Sequence, residues 1–73
     1  MPKYCYVYVL HSLADDQFYV GLTRDLPARL QAHNKGLVTS TKKRMPFELV
    51  YREGCLNESD AARRARLRRY LTG

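Results

Sequence analysis

The sequence predicts an α+β fold in which a small three-stranded mixed sheet, a β-hairpin plus a third strand, is flanked by helices in the order β-β-α-β-α. Three observations carry this expectation. Two β-rich runs stand either side of a short polar stretch, a capped segment with a proline in its first turn follows, and the chain closes on an alanine- and arginine-rich segment. The 73 residues leave room for a single domain over 1–73 with a thin core. A domain of about 60 residues buries only about 60% of the surface its unfolded chain exposes.

Tyr4, Tyr6, Tyr8 and Leu10 alternate with Cys5, Val7 and Val9, so the first strand is apolar on both faces and belongs at the centre of the sheet. After the polar stretch from Ser12 to Gln17, Phe18 to Thr23 favours β structure again, and the short separation makes the pair a hairpin. Gly21 inside the second strand marks a bulge or a close approach. Asp25 can cap a helix that carries Pro27 in its first turn and stops at Asn34-Lys35-Gly36, which predicts a helix over Leu26 to Asn34. Leu26 and Leu30 share one face of it, and Arg29 and His33 lie one turn apart on an adjoining face. Leu37 to Met45 reads as a polar, basic loop, and Pro46 biases the chain towards extended structure. Phe47 to Arg52 reads as the third strand, Gly54 to Asn57 as a connection, and Glu58 to Leu71 as the last helix. Leu26, Leu30, Leu67 and Leu71 are the expected helical contribution to the core.

Thirteen Lys and Arg against seven Asp and Glu give net +6, a balance that favours a polyanionic partner. Cys5 and Cys55 fit no metal-binding or redox spacing and read as buried free thiols. No apolar run approaches the roughly 20 residues of a membrane span, and Met1-Pro2-Lys3 leads into Tyr4 without a signal-peptide core, so a cytoplasmic setting without membrane partners is expected.

The most informative feature is a spaced set: Tyr6-Val7-Tyr8 on the first strand, Tyr19-Val20-Gly21 on the second, then Arg29 and His33 on the helix. Here the chain resembles the GIY-YIG nuclease family, in particular its small stand-alone bacterial members. The likeness continues through Leu22 to Asn34 and Pro46-Phe47-Glu48-Leu49-Val50-Tyr51. It implies that Tyr8 and Tyr19 orient or deprotonate a water, that Arg29 holds the scissile phosphate, and that His33 assists proton movement or phosphate contact. A phenol with a pKa of about 10 can serve as base only if that value is lowered. Taken singly, these tyrosines read as packing residues and Arg29 and His33 as a solvated helix face; their shared spacing raises them above that.

The resemblance also implies Mg²⁺ or another divalent cation in an active member, held by a glutamate of the last helix. An ungapped match places Ala65 at that position, expected to face a wet cleft, and Ala65 cannot ligate a cation. Glu58 and Asp60 are the only carboxylates of that helix and are weak substitutes. Nucleic-acid contacts are expected at Arg24, Lys42, Lys43, Arg44, Arg63 and Arg64. Small family members continue beyond the position of Gly73, which leaves open a truncated or a short natural chain.

Three functions are therefore in competition. The first is a GIY-YIG-like nucleic-acid-binding domain with weak or absent phosphodiester cleavage. An active Mg²⁺-dependent endonuclease is the second, and a protein-interaction module on the same fold is the third. None requires a small-molecule cofactor.

Overall fold

The structure, a computed structural model, describes residues 4–72, with side chains through Arg69. Its elements are β1 (Cys5–Ser12), β2 (Phe18–Thr23), α1 (Leu26–Asn34), β3 (Phe47–Cys55) and α2 (Glu58–Thr72). The sheet order is β2-β1-β3, so β1 is central, as its two apolar faces require. Both pairings are antiparallel, so the sheet is not mixed: the connection through α1 returns β3 beside β1 in the opposite direction. An irregularity between Val9 and Leu10 leaves Val50 as the extra residue of β3, because Val9 pairs with Tyr51 and Leu10 with Leu49. β3 also runs on to Cys55, absorbing part of the expected connection, because Glu53, Gly54 and Cys55 complete the ladder opposite Val7, Tyr6 and Cys5.

The alternation of β1 divides the core into two layers. Tyr8 and Leu10 face α1 and pack with Leu26 and Phe47, joined by Tyr19, Leu30 and Leu49. Cys5, Val7 and Val9 face α2 and pack with Val20, Cys55, Ala61 and Ala65. Both cysteines are buried and unbridged. Each fully buried aliphatic side chain contributes about 1.5–3 kcal/mol, so the eleven buried apolar residues among those described carry most of the stability of so small a domain.

The side of α2 that packs is set by its alanines. Ala61 and Ala65 are 0% and 2% exposed, whereas Leu67 is 59% exposed, contrary to the expectation that Leu67 is core. Leu71 lies outside the described side chains. Small side chains at i and i+4 let the helix backbone lie close on the valine face of the sheet, and Leu67 is carried off that line.

Local chemistry fixes the connections that frame the site. The Ser12 hydroxyl accepts from the amides of Ala14 and Asp15, both at 3.2 Å, and donates to the Arg44 carbonyl at 2.5 Å. It thereby ties the hairpin turn to the loop before β3. Asp25 caps α1 by accepting from the Ala28 amide at 3.2 Å, and Gly36, at φ +72°, takes the chain out of the helix. Asn34 then clasps β3: its amide oxygen accepts from the Phe47 amide at 2.7 Å and its NH₂ donates to the Phe47 carbonyl at 3.1 Å.

Candidate phosphodiester site

Tyr8 sits on the α1 side of β1, opposite Gly21 of β2, and is 1% exposed. Its ring lies across Gly21. A Cβ at that position would stand 2.9 Å from the Tyr8 Cε1 and closer still to its Cζ and hydroxyl. The close approach anticipated at Gly21 is therefore made by a phenol ring. Tyr19, two residues back on β2, projects to the same side, and the two rings are 6.4 Å apart. Register and alternation thus bring both phenols to one face.

His33 forms the back wall. It is fully buried rather than solvated, within 5.1 Å of the Tyr19 ring and 5.8 Å of the Tyr8 and Phe47 rings. Its Nε2 lies 2.9 Å from the Tyr8 hydroxyl and its Nδ1 lies 2.7 Å from Thr41 Oγ1. The Thr41 hydroxyl donates to the Val38 carbonyl at 3.4 Å, so Thr41 accepts the Nδ1 proton and Nε2 accepts the Tyr8 proton. Burial, reinforced by the Arg29 charge, pushes the His33 pKa below its ordinary value and keeps the ring neutral, which this pattern requires. Thr41 is itself 0% exposed. Sequence reasoning missed it, because a polar residue inside a basic loop carries no mark of burial.

Arg29 projects from α1 into the same space. The Tyr8 hydroxyl beside its guanidinium is the largest effect holding it charged, with Tyr19 adding to this. Its Nε is buried and, among the described residues, has no hydrogen-bond partner, a donor left unpaired beside two phenol oxygens. Burial raises the Tyr8 pKa, an effect that contact with Arg29 only partly offsets. The lowered pKa that Tyr8 would need as a general base is therefore not supplied by its contact with Arg29. Arg69 of α2 approaches from the β2 edge, where its guanidinium donates to the Val20 carbonyl at 3.3 Å.

Four of the six cations expected to hold nucleic acid are engaged within the protein. Arg44 bonds Asp15 at 2.7 Å and lies 5.7 Å from the Phe47 ring, so it braces the loop against the hairpin turn and helps hold the Asp15 pKa down at about 2. Arg63 and Arg64 bond Asp60 at 2.9 and 3.2 Å, and Arg64 also reaches Glu53 at 3.2 Å; their helix covers the opposite face of the sheet from Tyr8. Arg24 makes a looser, exposed pair with Glu58 at 3.7 Å. Lys42 and Lys43 are exposed.

The donors that meet at Tyr8 do not suit a hard cation. They are two phenols, a guanidinium and a neutral imidazole bonded at both nitrogens, whereas Mg²⁺ takes carboxylate and water oxygens. Glu58 is paired with Arg24, and Asp60 with Arg63 and Arg64. Among the described residues no cluster of three or more His, Cys, Asp or Glu could hold a metal ion. Ala65 does not line a wet cleft; it is packed against the valine side of the sheet, because only a methyl group fits between α2 and the strands. No described helix is long and apolar enough to cross a membrane.

Comparison with known proteins agrees with this arrangement. The family model described as the GIY-YIG catalytic domain matches residues 4–70. The chain is 36% identical over 62 residues to the UPF0213 protein spr1390 of Streptococcus pneumoniae, covering 84% of this chain and 62% of that protein. It is 40% identical over 60 residues to the UPF0213 protein SH2523 of Staphylococcus haemolyticus, covering 81% and 72% respectively. With the UPF0213 protein OB0043 of Oceanobacillus iheyensis it shares 39% over 62 residues, 84% of this chain and 71% of that one. The chain thus spans about three fifths of the length of the Streptococcus relative. No solved structure matches it. With its two tyrosine motifs on adjacent strands and its arginine and histidine on the following helix, the chain belongs to the GIY-YIG family.

Proposed function

We propose that this domain binds nucleic acid by holding a backbone phosphate at Arg29, between Tyr8 and Tyr19, and that it cleaves the phosphodiester weakly or not at all. The observation that carries the reading is the unpaired, buried Nε of Arg29 beside two phenol hydroxyls. A guanidinium offers a planar fork of donors that matches two phosphate oxygens, and an unpaired donor beside it gains a partner when phosphate arrives.

Weak cleavage follows from proton balance. For Tyr8 to take a proton from water it must pass its own to His33 Nε2, the acceptor it already faces. From ordinary pKa values, transfer from a phenol to an imidazole is uphill by about 5 kcal/mol. Burial moves both groups the wrong way, making Tyr8 harder to ionise and His33 harder to protonate. A phosphate anion at Arg29 would offset the larger of the two charges that favour the phenolate, those of Arg29 and Arg69. A divalent cation would ordinarily supply a metal-activated water in this chemistry, and the residues gathered here do not form its site.

A second reading, an active Mg²⁺-dependent endonuclease, is favoured by the convergence of Tyr8, Tyr19, Arg29 and His33 at one place. Binding separates phosphate recognition from a protein-interaction role. Affinity for a labelled oligonucleotide should fall linearly with salt on a log–log plot, and Arg29→Ala should weaken it while reducing the slope by about 0.7–0.9. Affinity independent of salt, or unchanged in Arg29→Ala, would refute the reading.

A further inference from the structure

On the same face of the sheet as Tyr8, a groove of about 620 Å³ opens between the N-terminal end of α1 and β3, lined by Tyr6, Arg24, Arg52 and Gly54 and also by the carboxyl-bearing Asp25 and Glu53. Strand alternation puts Tyr6 one step along β1 from Tyr8, about 7 Å away at two residues of rise. Arg52 is the β3 partner of Tyr8 and Gly54 the partner of Tyr6. The Tyr6 ring lies over Gly54, where an added Cβ would meet its Cε1 at 3.4 Å. Tyr6 is only half-buried, and the exposed Tyr4 ring stands 6.4 Å from it, so the end of β1 presents an aromatic surface.

The groove's charges divide in an instructive way. Asp25 is occupied in capping α1, and Glu53 is held by Arg64 and Arg68 at 3.2 and 3.7 Å. Arg52 is exposed and has no ion-pair partner among the described residues. Among the described residues Arg24 has only the long, exposed pair with Glu58, which a phosphate can replace at little cost. The result is one accessible aromatic face between two available cations, next to the Arg29 position.

We propose that this groove seats one unpaired nucleotide of a single-stranded polynucleotide, its base stacked on Tyr6 and its flanking phosphates at Arg24 and Arg52, beside the phosphate held at Arg29. The proposal rests on the phosphate-binding reading above and extends it to a substrate class. A base already enclosed in a duplex cannot offer its face to Tyr6, whereas stacking on an aromatic side chain tolerates any base.

The test uses the 73-residue chain and single-stranded oligonucleotides carrying 2-aminopurine, in deoxyribose and ribose forms of the same sequence. Binding should quench the probe in at least one form. Tyr6→Leu should abolish the quenching and weaken binding about tenfold, whereas Tyr6→Phe should keep both. Arg52→Ala should lower the salt slope by about 0.7. Far-UV circular dichroism confirms that each variant is folded. Absence of binding or quenching with either sugar, or equal quenching and affinity in folded Tyr6→Leu, would overturn the proposal. Binding that needs Arg29 but not Tyr6 refutes this subsite and leaves the phosphate reading standing. Binding that needs Tyr6 but not Arg29 does the reverse.

Discussion

Replacing Gly21 with alanine should destabilise the domain although the backbone there would welcome a side chain. Among the described residues the only glycine at positive φ is Gly36, so Gly21 occupies conformations open to any residue. At such a position a Gly→Ala change ordinarily stabilises by about 0.4–1 kcal/mol through the unfolded chain. Here the new methyl would lie 2.9 Å from the Tyr8 Cε1, well inside the roughly 3.5–4.0 Å of a relaxed carbon contact, and nearer still to the hydroxyl. Tyr8 cannot yield freely, because it is 1% exposed and bonded to His33 at 2.9 Å. Overpacking costs about 1–3 kcal/mol and the lost bond, which strands a buried imidazole nitrogen, about 1–3 more. Against the gain in backbone entropy, a net loss of about 1–5 kcal/mol, centred on about 3, is expected. In a domain of this size that lowers Tm by roughly 10–30 °C, read by thermal denaturation. In a Tyr8→Leu background the same substitution should cost at least about 1 kcal/mol less, since the ring it collides with is gone. A cost below about 0.5 kcal/mol, or equal costs in both backgrounds, would refute the account of why glycine follows Tyr19-Val20.

Ala65→Glu should lose more than about 3 kcal/mol, because it buries an unpaired carboxylate among Val7, Val20 and Cys55; a near-native melting curve would show that the position opens to solvent after all. Thr41→Val should cost about 1–3 kcal/mol by leaving the His33 Nδ1 proton unpaired, and Thr41→Ser should restore most of it, as chemical denaturation can show. The two histidines should titrate on opposite sides of 6.5 in an NMR pH series: His33 below, because burial opposes its charge, and His11 above, because Asp16 and Glu48 accept from its two nitrogens. The stability signs follow. The His33 contribution is present above about pH 6.5 and lost as pH falls through its folded value, and that of His11 is full below 6.5 and lost as pH rises through its own.

Much of the fold is legible because its signals are local. The doubly apolar β1, the Asp25 cap and the Gly36 stop each state their structure within a few residues, and the boundaries of α1 fall where those caps put them. The face of α2 was not legible in the same way. Ala61 with Ala65, and Leu67 with Leu71, make two competing i, i+4 pairs, and hydrophobic size favours the pair with leucine. Close packing on a valine face decided for the small pair, a tertiary constraint that periodicity does not encode. At the candidate site, the family resemblance is what groups Tyr8, Tyr19, Arg29 and His33, and strand register and one helical turn bring them together. Thr41 and the bracing role of Arg44 depend on how an irregular loop folds back, and nothing in Leu37 to Met45 announces it. Nor does the sequence reveal that burial raises the Tyr8 pKa, which depends on how deeply Gly21 lets the ring settle.

The most direct test of the central claim is a cleavage assay with Mg²⁺ on single-stranded, duplex and branched DNA, comparing the parent chain with Arg29→Ala. The account predicts salt-sensitive binding that needs Arg29, together with product formation that is slight or absent in the parent. Efficient Mg²⁺-dependent cutting by the parent that vanishes in Arg29→Ala would contradict it, and would show that Tyr8, Tyr19 and His33 complete an active nuclease with a cation held by other means.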